Sequence, residues 1–83
     1  MPFKYRQTVL SELARHGVMP LEDTPPEFIH EYINDLYLYE IRSLKASMLA
    51  GKIPKAEYAA HVERLRSRYP ILSLPVRYWG EPD

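Results

Sequence analysis

The stretch TPPEFIHEYINDLYLYEIRSLKASMLAG, residues 24–51, decides the fold. Thr24 stands before two prolines and Glu27, which predicts a capping box. In that arrangement the threonine hydroxyl takes a free helical amide, proline fills the first turn and glutamate returns the contact. Neither glycine nor proline follows until Gly51. The reading is one helix over about 25–50, roughly 39 Å long at ~1.5 Å per residue.

Its helical wheel carries most of the information. Ile29, Ile33, Leu36, Tyr37 and Leu44 share one sector, and Phe28, Tyr32, Tyr39, Ala46 and Ala50 the sector beside it. Glu31, Asn34, Asp35, Arg42 and Lys45, with Leu38 and Leu49 among them, make up the remaining arc. A helix apolar over more than half its circumference needs neighbours on two sides.

Outward from this helix, Gly51-Lys52-Ile53 is a short link, and Pro54 opens a segment that Pro70 stops. Tyr58, Val62, Leu65 and Tyr69 recur at helical spacing there, so a helix over about 54–69 should fold back as an antiparallel hairpin. On the other side, Val9, Leu10, Leu13, Ala14 and Phe3 share an arc, which predicts a helix over about 3–16 with Gly17 as its C-terminal cap. The tail from residue 70 to 83 is apolar, with Ile71, Leu72, Leu74, Val76, Tyr78 and Trp79, yet Pro75 bars a good helix. It reads as an extended strap along the helices, of its own subunit or of a neighbour's, anchored by Trp79. The fold class is therefore all-α: three helices, the central one long, in a single domain of 83 residues.

Composition narrows the function. With no cysteine, disulfide frameworks, thiolate zinc sites and cysteine nucleophiles are excluded. Eleven basic and eleven acidic residues give no global pull toward nucleic acid or anionic lipid. No run approaches the ~20 apolar residues of a membrane span, and the first residues lack a signal-peptide core. A cytoplasmic protein without a cofactor is the expectation. Glu27 with His30, and Glu57 with His61, lie at helical spacings that resemble half a carboxylate-bridged metal site, but the second spacing is wrong for it and no metal is expected. No phosphate-binding glycine loop or nucleophile elbow is present.

Charge is balanced globally and split locally. Residues 12–40 hold seven acids and one base; residues 41–69 hold seven bases and two acids. The split favours pairing of the acidic part of the long helix with the basic end of the third. An alternative is a nucleic-acid surface centred on Arg64, Arg66 and Arg68. Glu40 falls inside the apolar sector and needs a partner; an arginine ion pair is the favoured one, and a tyrosine hydroxyl would serve equally.

Helix lengths raise a further question. The third helix reaches back only to about Leu36, so Phe28, Ile29, Tyr32 and Ile33 overhang. Seven tyrosines and one tryptophan suit half-buried subunit boundaries. The resulting expectation is a non-catalytic interaction or adaptor protein, most simply a homodimer, whose partner-binding residues are Phe28, Ile29, Tyr32, Ile33, Tyr39, Tyr78 and Trp79.

Overall fold

The computed structural model describes residues 3–21 and 23–81. Glu22 of the acidic run, Pro82 and Asp83 of the tail, and Met1 and Pro2 lie outside the described residues. Three helices follow in order: α1 (Gln7–Arg15), α2 (Pro26–Leu49) and α3 (Lys55–Arg66). Among the described residues the only β pairing is an isolated antiparallel bridge between Tyr5 and Gly80. The fold is all-α, with α2 as its spine and α3 packed back along it. The molecule is a rod of 50 × 17 × 17 Å.

Glycine ends the first two helices by the same device. Gly17 has φ 75°, Gly51 has φ 79°. After α1, the Gly17 amide donates to Ala14 and the Val18 amide to Leu13; after α2, Gly51 donates to Met48 and Lys52 to Ser47. Each pair satisfies orphan carbonyls of the last turn and turns the chain sharply.

The N-terminus of α2 differs from the expected capping box. Pro25 occupies the cap position, and no side chain caps the helix. The Pro25 carbonyl accepts from Phe28 and Ile29. Thr24 turns the other way: its hydroxyl accepts from the Leu21 amide at 3.0 Å, closing a turn in the preceding loop. Proline at the first helical position has no amide to satisfy, so the helix loses little by this choice.

The first helix is shorter than its apolar spacing predicts. Phe3–Arg6 lie outside it, and Arg6 is extended (φ −67°, ψ 146°). This segment runs antiparallel to the end of the tail, with the Arg6 amide donating to the Trp79 carbonyl and the Glu81 amide to Lys4, both at 2.8 Å. The tail itself lies on its own chain. It contains two short 3-10 turns, Pro70–Ser73 and Val76–Tyr78, joined by extended Leu74 and Pro75. Proline suits both places: its fixed φ starts the first turn and precedes the second.

The core comprises Tyr5, Val9, Leu13, Ile29, Ile33, Leu65, Tyr69, Ile71 and Trp79. Trp79 is fully buried, and its indole N–H donates to the Leu74 carbonyl at 3.0 Å. All four structural parts thus meet around the first half of α2. The portion of α2 expected to overhang is the best covered, because α1 and the tail close over Ile29 and Ile33. Beyond Ile33 no residue of α2 is buried, and α3 buries only Leu65. The far end of the rod is a two-helix hairpin with half-buried Ile41, Leu44, Met48 and Val62 between the helices and solvent.

Candidate interaction face

Of the seven residues expected to meet a partner, the structure separates two groups. Ile29, Ile33 and Trp79 belong to the core and present no surface. Their burial corrects the expected patch: side chains this deep contact a partner only if the tail lifts away. Phe28, Tyr32, Tyr39 and Tyr78 remain exposed.

Eight large hydrophobic side chains are exposed among the described residues, and five of them sit on α2: Phe28, Tyr32, Leu38, Tyr39 and Leu49. Phe28 is 66% exposed, Tyr39 72% and Leu49 73%. Their placement is periodic. Phe28, Tyr32, Asp35, Tyr39, Arg42, Ala46 and Leu49 follow one another at alternating steps of four and three, the spacing of a helix-pairing seam. Glu31, Leu38 and Lys45 flank it, and every one of these residues is exposed. No ion pair among the described residues uses Glu31, Asp35, Arg42 or Lys45.

The three arginines do not form one face. Arg64 and Arg68 line an open groove of about 550 Å³ between α2 and α3, together with Glu40, Ser43, Ser47 and His61. Arg66 lies on the other side of α3, in a hollow with Asn34, Tyr37 and Leu72. There it pairs with Glu63 of its own helix at 3.8 Å. The neighbouring Tyr37 first, and Glu63 second, hold the Arg66 guanidinium above its ordinary value. The expected pairing of arginines with the acids of α2 is not found among the described residues. At a 100° step, residues two apart on a helix point to opposite sides, which is why an every-second-residue run of arginines cannot make a patch.

Glu40 finds a hydroxyl instead of a cation. The Tyr69 hydroxyl donates to its carboxylate Oε2. Tyr69 is buried just beyond α3, which stops at Arg66 short of the expected residue 69, with Tyr37 edge-on at 5.2 Å and His16 stacked on its ring at 4.4 Å. One side chain therefore ties the C-terminal cap of α1 to the middle of α2. Burial, then the bond to Glu40 and the charge of Glu40, push the Tyr69 hydroxyl up to about 12, with Arg68 acting weakly against them. His30, the residue that suggested a metal ligand, packs its ring on Trp79 at 5.7 Å.

Sequence reasoning missed the serines of the groove and the stacked His16, which carry no spacing signal. Tyr69 was legible as a member of the α3 stripe. Among the described residues, no helix is long and apolar enough to cross a membrane. Comparison with protein-family models, with curated proteins and with solved structures finds no match for this chain.

Proposed function

We propose that this chain is a non-catalytic interaction protein that acts as a homo-oligomer, most simply a dimer, through the outer face of α2. One observation carries the reading: five large apolar side chains stand exposed on a single helix, four of them at the four-three spacing of a packing seam and Leu38 beside it. Single exposed hydrophobics are ordinary on protein surfaces, but an aligned set rimmed by charges marks a contact site. Tyrosine and phenylalanine supply large contact area with few rotatable bonds, so little entropy is lost when they are covered. The cytoplasmic setting belongs to the same proposal and rests on composition.

Light scattering over a range of concentrations tests it. The wild type is expected to approach twice the 9.8 kDa chain mass as concentration rises. Tyr39→Glu should return it to one chain mass with helix content unchanged, because Tyr39 contributes nothing to the core. A wild type that stays at one chain mass at the highest attainable concentration refutes self-association.

A further inference from the structure

The exposed seam of α2 is self-complementary in one orientation only. Its first half is acidic, with Glu31 and Asp35; its second half is basic, with Arg42 and Lys45. Apolar residues stand at both ends, Phe28 and Leu49, and at the middle, Leu38 and Tyr39. We infer that a second copy of this chain docks on the seam antiparallel, with the two-fold axis passing between Leu38 and Tyr39. The inference rests on the proposed self-association and specifies its geometry.

The register follows from counting outward from that axis. Residues equally distant from it on the two helices stand at the same level. Phe28 then meets Leu49 of the second copy, Tyr32 meets Lys45, Asp35 meets Arg42, and Leu38 meets Tyr39. Each contact occurs twice, as a two-fold interface requires. Both apolar ends are capped by an apolar side chain of the other copy, Asp35 faces a base, and Glu31 stands opposite Ala46, one position from Lys45. The Lys45 stem and ammonium would lie along the Tyr32 ring, a pairing that favours both its apolar and its charged parts.

Other arrangements fail on charge. In a parallel pairing at equal level Asp35 faces Asp35, Arg42 faces Arg42 and Lys45 faces Lys45. An antiparallel pairing centred on the Phe28–Ile33 patch brings Glu27, Glu31 and Asp35 of both copies together, without a base between them. Like charges placed opposite one another suppress an association even where apolar contact favours it. Asp35 and Arg42 occupy seam positions themselves, where a polar residue fixes register and orientation at some cost in affinity. The core of each chain stays closed in this geometry, since the seam faces away from Ile29, Ile33 and Glu40.

The test combines charge reversal with cross-linking in the full chain, which has no cysteine of its own. Asp35→Arg alone and Arg42→Asp alone should each weaken dimerisation by about tenfold or more in Kd, since each creates two like-charge pairs. The double variant Asp35→Arg/Arg42→Asp should recover most of the loss, which a seam used by an unrelated partner would not do. Independently, Phe28→Cys combined with Leu49→Cys should give an intermolecular disulfide under mild oxidation. Phe28→Cys alone should not, because its two copies would stand about 31 Å apart along the axis.

The failures separate. A dimer that ignores both reversals, or that forms a disulfide through Phe28→Cys alone, overturns the antiparallel register and leaves self-association standing. A monomeric wild type overturns both.

Discussion

The Arg6 amide donates to the Trp79 carbonyl at 2.8 Å, joining segments 73 positions apart into one short clasp. Around it, the Arg6 guanidinium Nε donates to the Gly80 carbonyl at 2.8 Å, and Lys4 pairs with Glu81 at 3.3 Å. The clasp holds Trp79 over the first half of α2. The exposed Lys4 pair adds little, whereas the buried indole carries large apolar area. Trp79→Ala is therefore expected to cost about 3–5 kcal/mol, a large share of a small domain's whole stability. Urea unfolding checks it, and deletion of residues 71–83 should be at least as damaging. A truncated chain that melts like the wild type would show that α1 and the hairpin stand without the strap.

Two glycines should fail for different reasons. Gly17 has open space where a Cβ would go, but its φ of 75° strains any other residue. Gly17→Ala should cost about 1–2 kcal/mol, and no second substitution nearby should recover it. At Gly80 the obstacle is steric, because a Cβ would stand 2.8 Å from the Phe3 ring. That ring is packed edge-on against Tyr5 at 4.8 Å, so displacing it disturbs the clasp. Gly80→Ala should thus be strongly non-additive with Phe3→Ala, and Gly17→Ala should be additive with it. A double-mutant cycle by thermal melting measures both.

These positions also show what could be read in the sequence. Helix ends marked by Gly17, Gly51 and Pro54 are local, since the signal lies in the residues that form the turn. The exposure of Phe28, Tyr32 and Tyr39 was legible because helical spacing fixes their direction. The clasp was not: Phe3, Val9 and Leu13 do share a helical arc, and nothing near Phe3 reveals that its backbone pairs with Gly80. Thr24 illustrates competition between local options, for its hydroxyl reaches either the amides of α2 or the Leu21 amide, and proline tips the balance. The burial of Ile29 and Ile33 depended on the path of the tail, which periodicity does not supply. Glu40 announced its need for a partner, but choosing Tyr69 over an arginine required the angle at which α3 meets α2.

The separation of the arginines makes a prediction about nucleic acid. Each phosphate neutralised contributes about 0.9 to the salt slope of binding. With Arg64 and Arg68 on one side of α3 and Arg66 on the other, a strand in the groove should show a slope no steeper than about 2. Binding at physiological salt is then expected to be negligible. Replacing all three by glutamine should leave the cooperative melt and helix content nearly unchanged, because none of them is ion-paired to α2 among the described residues. Tight, steeply salt-dependent binding that the triple variant loses would make the nucleic-acid reading the better one.

Base titration should expose the bond between Tyr69 and Glu40. In the unfolded chain a tyrosine loses its proton near pH ~10. In the folded chain burial and the Glu40 carboxylate hold the Tyr69 proton to about 12. Between these values the folded state binds more protons than the unfolded state, so stability falls as pH rises. The contribution is complete below the unfolded value and is lost on the way to the folded one. Tyr69→Phe keeps the ring against His16 and Tyr37 but removes the donor to Glu40, and should cost about 1–3 kcal/mol near neutral pH. Because the variant lacks the titrating hydroxyl, the stability gap between it and the wild type should narrow as pH climbs through this window. Tyr5, also held above its ordinary value by burial and then by Glu27, titrates in both proteins and cancels in the comparison. Denaturant unfolding at a series of alkaline pH values measures the gap. A gap that stays constant across that range would mean that folding does not hold the Tyr69 proton, and the absence of any gap near neutral pH would mean that Tyr69 stabilises the junction by packing alone.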